Sequence, residues 1–405
     1  MKVLHYTRDF PPRFRGGIST SVGHMVAELA GLGVEQRVVS FDGFRAGVRA
    51  VGTRVEWDAW GPEPADGGGS VRVLHLENAS SYDMELPWLA RLEPDVVHVH
   101  DPLLWPFAER LFGRRRRPVF VYTAHVVHAR LNELRGLHDG TLSSEAERLA
   151  LTMADVVVAP SEAAAGWIRR LVGARIPQVV VPLGVPLRDG GWEPVWDGGD
   201  ASSGEWEDGG QLLRSGSDRR PDWWLIGRHA DIKGTDALPW ILGELHAHAP
   251  ALMGGLVSEN PDSPRRDRRW RDRMRELQQT WGNFRLVPWQ TPDELWSLVR
   301  VGDMVLVPSR CETFSMVTLE AMAVGAVVVA RRCGGPEELL EGGVSGVLCD
   351  TDEELAQALV GLSRDSSARR RMGEAARRRS REFSSLRTAV QMLELYRLGL
   401  ETRAQ

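Results

Sequence analysis

Glu312 and Glu320 stand eight residues apart in the stretch PSRCETFSMVTLEAMAVGAVVVA, with mostly apolar or small residues between them. A carboxylate in an apolar run is costly unless something satisfies it. The stretch reads as a buried strand (DMVLVPS), a loop (RCETFS) and a helix (MVTLEAMAVG). That order predicts Glu312 at the C-terminal edge of a strand and Glu320 about two turns into the helix, near its inner face. The amides of Phe314, Ser315, Met316 and Val317 open the helix, where unpaired N–H groups and the positive dipole end favour an anion. Each carboxylate accepts several hydroxyl donors and so suits a polyol. Hydroxyls, then phosphate, then hydroxyls is the layout of a nucleoside diphosphate sugar. On this reading Glu312 holds the sugar and Glu320 the ribose.

Two other stretches have the right chemistry for such a ligand. WWLIGRHADIKGTDALPWIL again runs from strand to helix, and Arg228 and Lys233 bracket its turn. A guanidinium and an ammonium five residues apart can neutralise a diphosphate from two sides. Lys2 and Lys233 are the only lysines in the chain, every other basic side chain being arginine. The bias fits a high-GC genome, and against it Lys233 stands out. In PPRFRGGISTS, Gly16 and Gly17 fall between the first strand and its helix, where backbone can approach a phosphate closely. Taken alone, that pair is also what an ordinary strand-to-helix turn contains.

Other candidates have plainer readings. His98 and His100 share one strand face and His125 and His128 follow a later strand, but a third metal ligand is not evident beside the HxH pair, so structural or substrate roles are favoured over a metal site. The DTD at Asp350–Asp352 precedes EELAQALVGL and reads as a helix cap at Thr351 or Asp352. Cys311, Cys333 and Cys349 match no metal spacing, and their odd number argues against a disulfide framework. They read as buried hydrophobes.

The elements that must position these residues form two series. The 405-residue length calls for two domains. A net charge of −5 offers no basic field for nucleic acid. No apolar run reaches the ~20 residues of a membrane span, and the polar start MKVLHYTRDF reads as a first strand rather than a signal peptide. A cytoplasmic protein is expected. KVLHY, QRVVSF, VRVLHL, DVVHVH, PVFVYTAH, DVVVAP and QVVVPL are near-continuous apolar runs, as in parallel sheets covered on both faces. WWLIG, ALMGGLV, FRLVP, DMVLVP, AVVVA and GVLC repeat the pattern. From Asp189 to Asp208 come seven acids, five glycines and three tryptophans with no basic residue, an acidic insertion or linker. The fold class is α/β: two Rossmann-like doubly wound parallel-sheet domains expected to face a central cleft. Residues 1–185 form the first, 186–221 the acidic segment, 222–384 the second, and 385–405 a helix crossing back to the first. The arginine-rich ARRRMGEAARRRSREF reads as a solvated helix face.

GRHADIKG together with PSRCETFSMVTLEAMAVGAVVVARRCGGPEELLEGGVSGVL resembles the donor-binding half of retaining GT-B glycosyltransferases of glycosyltransferase family 4. DVVHVHDP, VYTAH, VPLGVP and the final LRTAVQMLELYRLGL resemble further landmarks of that family. The resemblance covers nearly the whole chain outside residues 188–221. It implies Glu312 and Glu320 as the family's E-x7-E pair, Arg228 and Lys233 on the diphosphate, PPRFRGG at the donor phosphates, and His125 near the reacting centre. It also implies retention of anomeric configuration, with electrostatic stabilisation of the departing diphosphate and no metal. Ser315 replaces the family's usual glycine and Leu183 its usual asparagine, which bears on the donor sugar more than on the fold.

The expected partners are a nucleotide-sugar donor, with UDP-glucose or UDP-N-acetylglucosamine first, and a small soluble acceptor such as an aminocyclitol of antibiotic biosynthesis. His100 and Asp101 are the acceptor-side candidates. The alternatives are a lipid-linked or cell-envelope acceptor, and an inactive sugar-nucleotide-binding protein.

Overall fold

The computed structural model describes residues 1–11, 16–41, 58–59, 71–76, 89, 91–111, 117–137, 141–173, 176–188, 191–192, 220–227, 231–257, 268–287 and 290–404. They fall into two compact units, one built from residues up to Pro186 together with the last helix, Ser385–Ala404, and the other from Leu187 to Glu382.

The first unit contains β1 (Lys2–Thr7), β2 (Glu35–Ser40), β3 (Asp58–Ala59), β4 (Val71–His75), β5 (Val96–Val99), β6 (Val119–Thr123), β7 (Val156–Ala159) and β8 (Gln178–Val180). They form one sheet in the order β3-β4-β2-β1-β5-β6-β7-β8, in which β3 alone pairs antiparallel. The side chains alternate between two cores. Phe120 and Tyr122 join Leu4, Tyr6, Val97 and Val99 on one face. Val119 and Val121 join Val3, Val96 and the helix Gly17–Gly31 on the other, where Met392 and Tyr396 of the last helix also pack. Both faces are covered, which is why these strands read as unbroken apolar runs.

The second unit contains β11 (Trp223–Ile226), β12 (Gly254–Val257), β13 (Phe284–Val287), β14 (Met304–Val307), β15 (Val327–Arg331) and β16 (Gly346–Cys349), after a short antiparallel pair, β9 (Leu187–Arg188) and β10 (Gly191–Trp192). The sheet order is β13-β12-β11-β14-β15-β16 and every pairing is parallel. The parallel strand order reverses at β1/β5 in the first unit, whose edge strand β3 also folds back on β4, and at β11/β14 in the second. Ligands of doubly wound sheets bind beyond the strand C-termini at such a reversal. The loops after β1, β5, β11 and β14 carry Gly16–Gly17, His100–Asp101, Lys233 and Glu312.

The two α/β units agree with the sequence pattern. Three features do not follow from it. The helix Arg268–Thr280 is not among the helices expected above, although Trp270, Met274 and Leu277 stand at helical spacing. The β9–β10 pair lies inside the segment read as a flexible linker, most of which falls outside the described residues. The arginine-rich helix Ser366–Ser380 is also more than a solvated face. Arg379 donates to the carbonyls of Glu338 (3.1 Å) and Leu339 (3.4 Å), and Arg369 to those of Leu362 and, at 3.1 Å, Gly302. These arginines satisfy carbonyls at the ends of the helices Gly335–Leu339 and Asp352–Arg364 and in the turn before β14. Thr351 caps Asp352–Arg364 by accepting from the Glu354 amide, as the DTD reading requires. The three cysteines are buried and form no disulfide among the described residues.

Candidate functional site

In the second unit a tight turn follows β11. Lys233 ends a 3₁₀ turn, Asp231–Lys233, and Gly234 follows at φ 67°. A Cβ on Gly234 would lie 2.1 Å from the Pro308 carbonyl oxygen, so only glycine lets this turn rest on the chain leaving β14. The Arg310 amide donates to the Ile232 carbonyl at 2.8 Å and its guanidinium pairs with Asp236 at 2.5 Å, which ties the two loops together. Lys233 Nζ thereby meets Glu312 Oε1 at 2.7 Å, with the lysine side chain 35% exposed and the glutamate 11%. Glu312 is clamped in turn: its amide donates to the Cys333 carbonyl (3.0 Å) and its carbonyl accepts from the Gly335 amide (2.8 Å).

Lys233 and Glu312 line one pocket with Gly227, Pro308, Ser309 and Val317. Val317 belongs to the helix Met316–Val324, whose N-terminus has no side-chain cap. The pocket therefore joins a cation, a carboxylate and a helix start with an open positive end. Phe314 and Met316 are buried, so from these residues the backbone rather than the side chain is what a ligand would meet. Glu320, three residues beyond Val317, lies on the same helix face. It is buried, and burial pushes its carboxyl up to about 8, against an opposing hydrogen bond from Trp296. Arg228 lies outside the described residues.

Ser315 adopts φ 78°, ψ 75°, the left-handed region that glycine enters freely. Its hydroxyl is 2.8 Å from that of Thr318, so the side chain lies back along its own first turn. Ser315→Gly relieves ~1 kcal/mol of strain but loses that hydrogen bond and adds unfolded-state freedom, so stability stays within about 1 kcal/mol. Ser315→Val puts a β-branched residue into the left-handed region and costs about 2 kcal/mol or more. Urea midpoints check both; equal midpoints for Gly and Val would remove the strain from this account.

The first unit places Gly16 and Gly17 at the start of the helix Gly17–Gly31, which also lacks a side-chain cap. Asp101 caps the turn Pro102–Leu104 through the Leu103 amide at 2.9 Å and faces Arg8 at 3.5 Å. His125 Nε2 is 3.1 Å from His100 Nδ1, and His100 Nε2 is 3.2 Å from His5 Nδ1. His5 Nε2 reaches Gln36 Oε1 at 3.1 Å. His98 sits beside this chain, hydrogen-bonded to Tyr396 (2.6 Å) and Thr123 (2.7 Å). Burial lowers His5 and His125 to about 4 and holds His98 and His100 well below the ordinary histidine value.

His5 is the third imidazole that the sequence does not reveal beside His98 and His100. It lies ninety-three residues from His98 and is its register partner across β1–β5. His5, His98 and His100 each offer a nitrogen within 4.8 Å of the others. Nitrogens around one tetrahedral zinc lie about 3.3 Å apart, and each of these rings already has hydrogen bonds at both nitrogens. The donor set fits a hydrogen-bonded chain rather than an ion. His100 uses both ring nitrogens in this chain, one toward His5 and one toward His125.

Two Rossmann-type sheets, one with a cation–carboxylate pocket at an open helix start, are the parts of a nucleotide-sugar glycosyltransferase of the GT-B class. Residues 16–184 match the glycosyl transferase 4-like domain and residues 266–379 the glycosyl transferases group 1 domain. Alpha-maltose-1-phosphate synthase of Mycolicibacterium smegmatis is 28% identical over 98% of this chain and 99% of its own length. D-inositol 3-phosphate glycosyltransferase of Nocardia farcinica is 31% identical over 76% of this chain and 67% of its own. The same enzyme of Salinispora tropica is 35% identical over 42% of this chain, a match spanning 37% of its length. Sucrose-phosphate synthase from Thermosynechococcus elongatus shares the fold at a TM-score of 0.74 and 20% identity, covering 98% of this chain and 99% of that one. The chain belongs to glycosyltransferase family 4, the group 1 glycosyltransferases. Among the described residues no helix is long and apolar enough to cross a membrane.

Proposed function

We propose that the protein is a retaining hexosyltransferase, metal-independent and cytoplasmic. It moves a sugar from a UDP-sugar, glucose or N-acetylglucosamine, to a hydroxyl of a small soluble polyol or sugar. The observation that carries this is the Lys233–Glu312 pair lining one pocket with Val317 at an uncapped helix start. Lys233, with Arg228, neutralises the leaving diphosphate. The amides of residues 314–317 and of Gly16–Gly17 take phosphate oxygens. Glu312 accepts from hydroxyls of the donor sugar and Glu320 from the ribose. His125 serves the reacting sugar, and Asp101 the acceptor. The acceptor oxygen bonds to the anomeric carbon on the face the phosphate leaves, and its proton passes to the departing phosphate oxygen. Stabilising that oxygen is the main catalytic work, and cations and helix ends do it without a metal ion. The relatives' names, maltose-1-phosphate synthase and inositol 3-phosphate glycosyltransferase, support a cyclitol or sugar acceptor, phosphorylated forms included.

Calorimetric titration with UDP, GDP, ADP and TDP in EDTA tests the donor side. Tight binding of one nucleotide supports the reading and names the base; binding of none removes its main support. Acceptor screening then compares inositol phosphates, sugar phosphates, aminocyclitols and lipid-linked sugars.

The same titration carries a pH prediction. A carboxyl raised to about 8 is largely protonated at neutral pH. If ribose hydroxyls bind its ionised form, donor affinity rises as pH climbs through about 8 and levels about a unit above it. Glu320→Gln flattens the rise; a slope kept in that variant removes Glu320 from the ribose. Folding moves the other way. The folded-state value lies above the unfolded one, so the stabilisation from Glu320 is complete below about 4.5 and is lost as pH climbs through about 8.

A further inference from the structure

We propose that Gln36 fixes the tautomer of His125 through His5 and His100, which makes it a positioning residue for the reaction. The chain Gln36–His5–His100–His125 crosses four neighbouring strands, β2, β1, β5 and β6, or their C-terminal ends. Its direction follows from its first member. Gln36 Nε2 donates to the Val26 carbonyl at 2.8 Å, and a carbonyl only accepts. The amide oxygen therefore faces His5 Nε2, which must carry the hydrogen. His5 Nδ1 then holds a lone pair, and the 3.2 Å contact requires His100 Nε2–H as donor. His100 Nδ1 accepts in turn, and His125 Nε2–H donates to it across 3.1 Å.

A further proton on His5 or His100 would set two N–H groups face to face, so the chain needs neutral rings. Burial keeps them neutral and leaves little room for water to supply another partner. His125 Nδ1 thus carries the lone pair and meets any partner as an acceptor. This inference rests on the role given to His125 under the proposed function.

The test begins with ring-nitrogen NMR of the unaltered protein, which needs no variant to fold. A single His125 tautomer, protonated at Nε2, is expected; protonation at Nδ1 overturns the proposal. Gln36→Met then removes the acceptor at similar volume. In Gln36→Met the three rings mix tautomers and kcat for nucleotide-sugar turnover falls about tenfold with donor KM unchanged. Unmoved tautomers in Gln36→Met overturn the chain whatever the activity. Mixed tautomers with full turnover leave the chain standing and remove His125 from the reacting centre.

Discussion

Lys233→Ala turns over nucleotide sugar about 10²-fold to 10³-fold more slowly, the loss falling on kcat rather than on donor KM. The ammonium stands 2.7 Å from Glu312 in the pocket that includes Val317 at the helix start. There it meets charge that grows as the diphosphate departs, so it contributes more to the transition state than to the ground state. Lys233→Arg recovers part of the rate, because a planar fork keeps the charge but does not replace a compact ammonium. A purely structural role makes a different forecast. The lysine is about one-third exposed, so its ion pair is worth at most ~1 kcal/mol of stability. Removing both ions in Lys233→Met with Glu312→Gln then restores stability but not turnover. A double variant that regained full rate would sink the catalytic role.

Gly335→Ala loses about 3 kcal/mol of stability and most of the donor affinity. A Cβ there would lie 2.1 Å from the Phe314 carbonyl oxygen, 2.3 Å from its carbon and 2.4 Å from its Cα. The obstacle is backbone, and that backbone cannot rotate away as a side chain can. The Gly335 amide also donates to the Glu312 carbonyl. The new methyl therefore pushes on the two residues that place the pocket carboxylate and open the helix. Gly361→Ala is the control: nothing lies within 4 Å of a Cβ there, and alanine in that helix gains about 0.5–1 kcal/mol. Urea denaturation and nucleotide titration of both variants decide it. Equal stability of Gly335→Ala and the unaltered protein would mean the loop is looser than its contacts.

Local pattern was enough for much of this molecule. Residues two apart share a strand face and residues three or four apart share a helix face, so VVHV and FVYT announced sheets covered on both sides. MVTLEAMAVG announced a helix with Val317 and Glu320 on one face. Arg228 and most of the acidic stretch after Asp189 were equally legible as motifs but lie outside the described residues. The helix Arg268–Thr280 carries Trp270, Met274 and Leu277 at helical spacing, a period present in the sequence but sparse among its arginines.

The sequence by itself determined the two α/β series, the spacing of Glu312 and Glu320, and the isolation of Lys233 among arginines. Tertiary structure alone decided three things. It paired Lys233 with Glu312 across 79 residues, because the strand order reverses at β11/β14 and brings their two loops together. It raised the Glu320 carboxyl, because protonation depends on how much water neighbouring elements exclude. It also joined Gln36, His5, His100 and His125 into one chain, because β1 lies between β2 and β5 in the sheet though not in the sequence. Periodicity is a property of one segment and can be read from it. Strand order and burial are properties of all segments at once, and they set these partners and this proton.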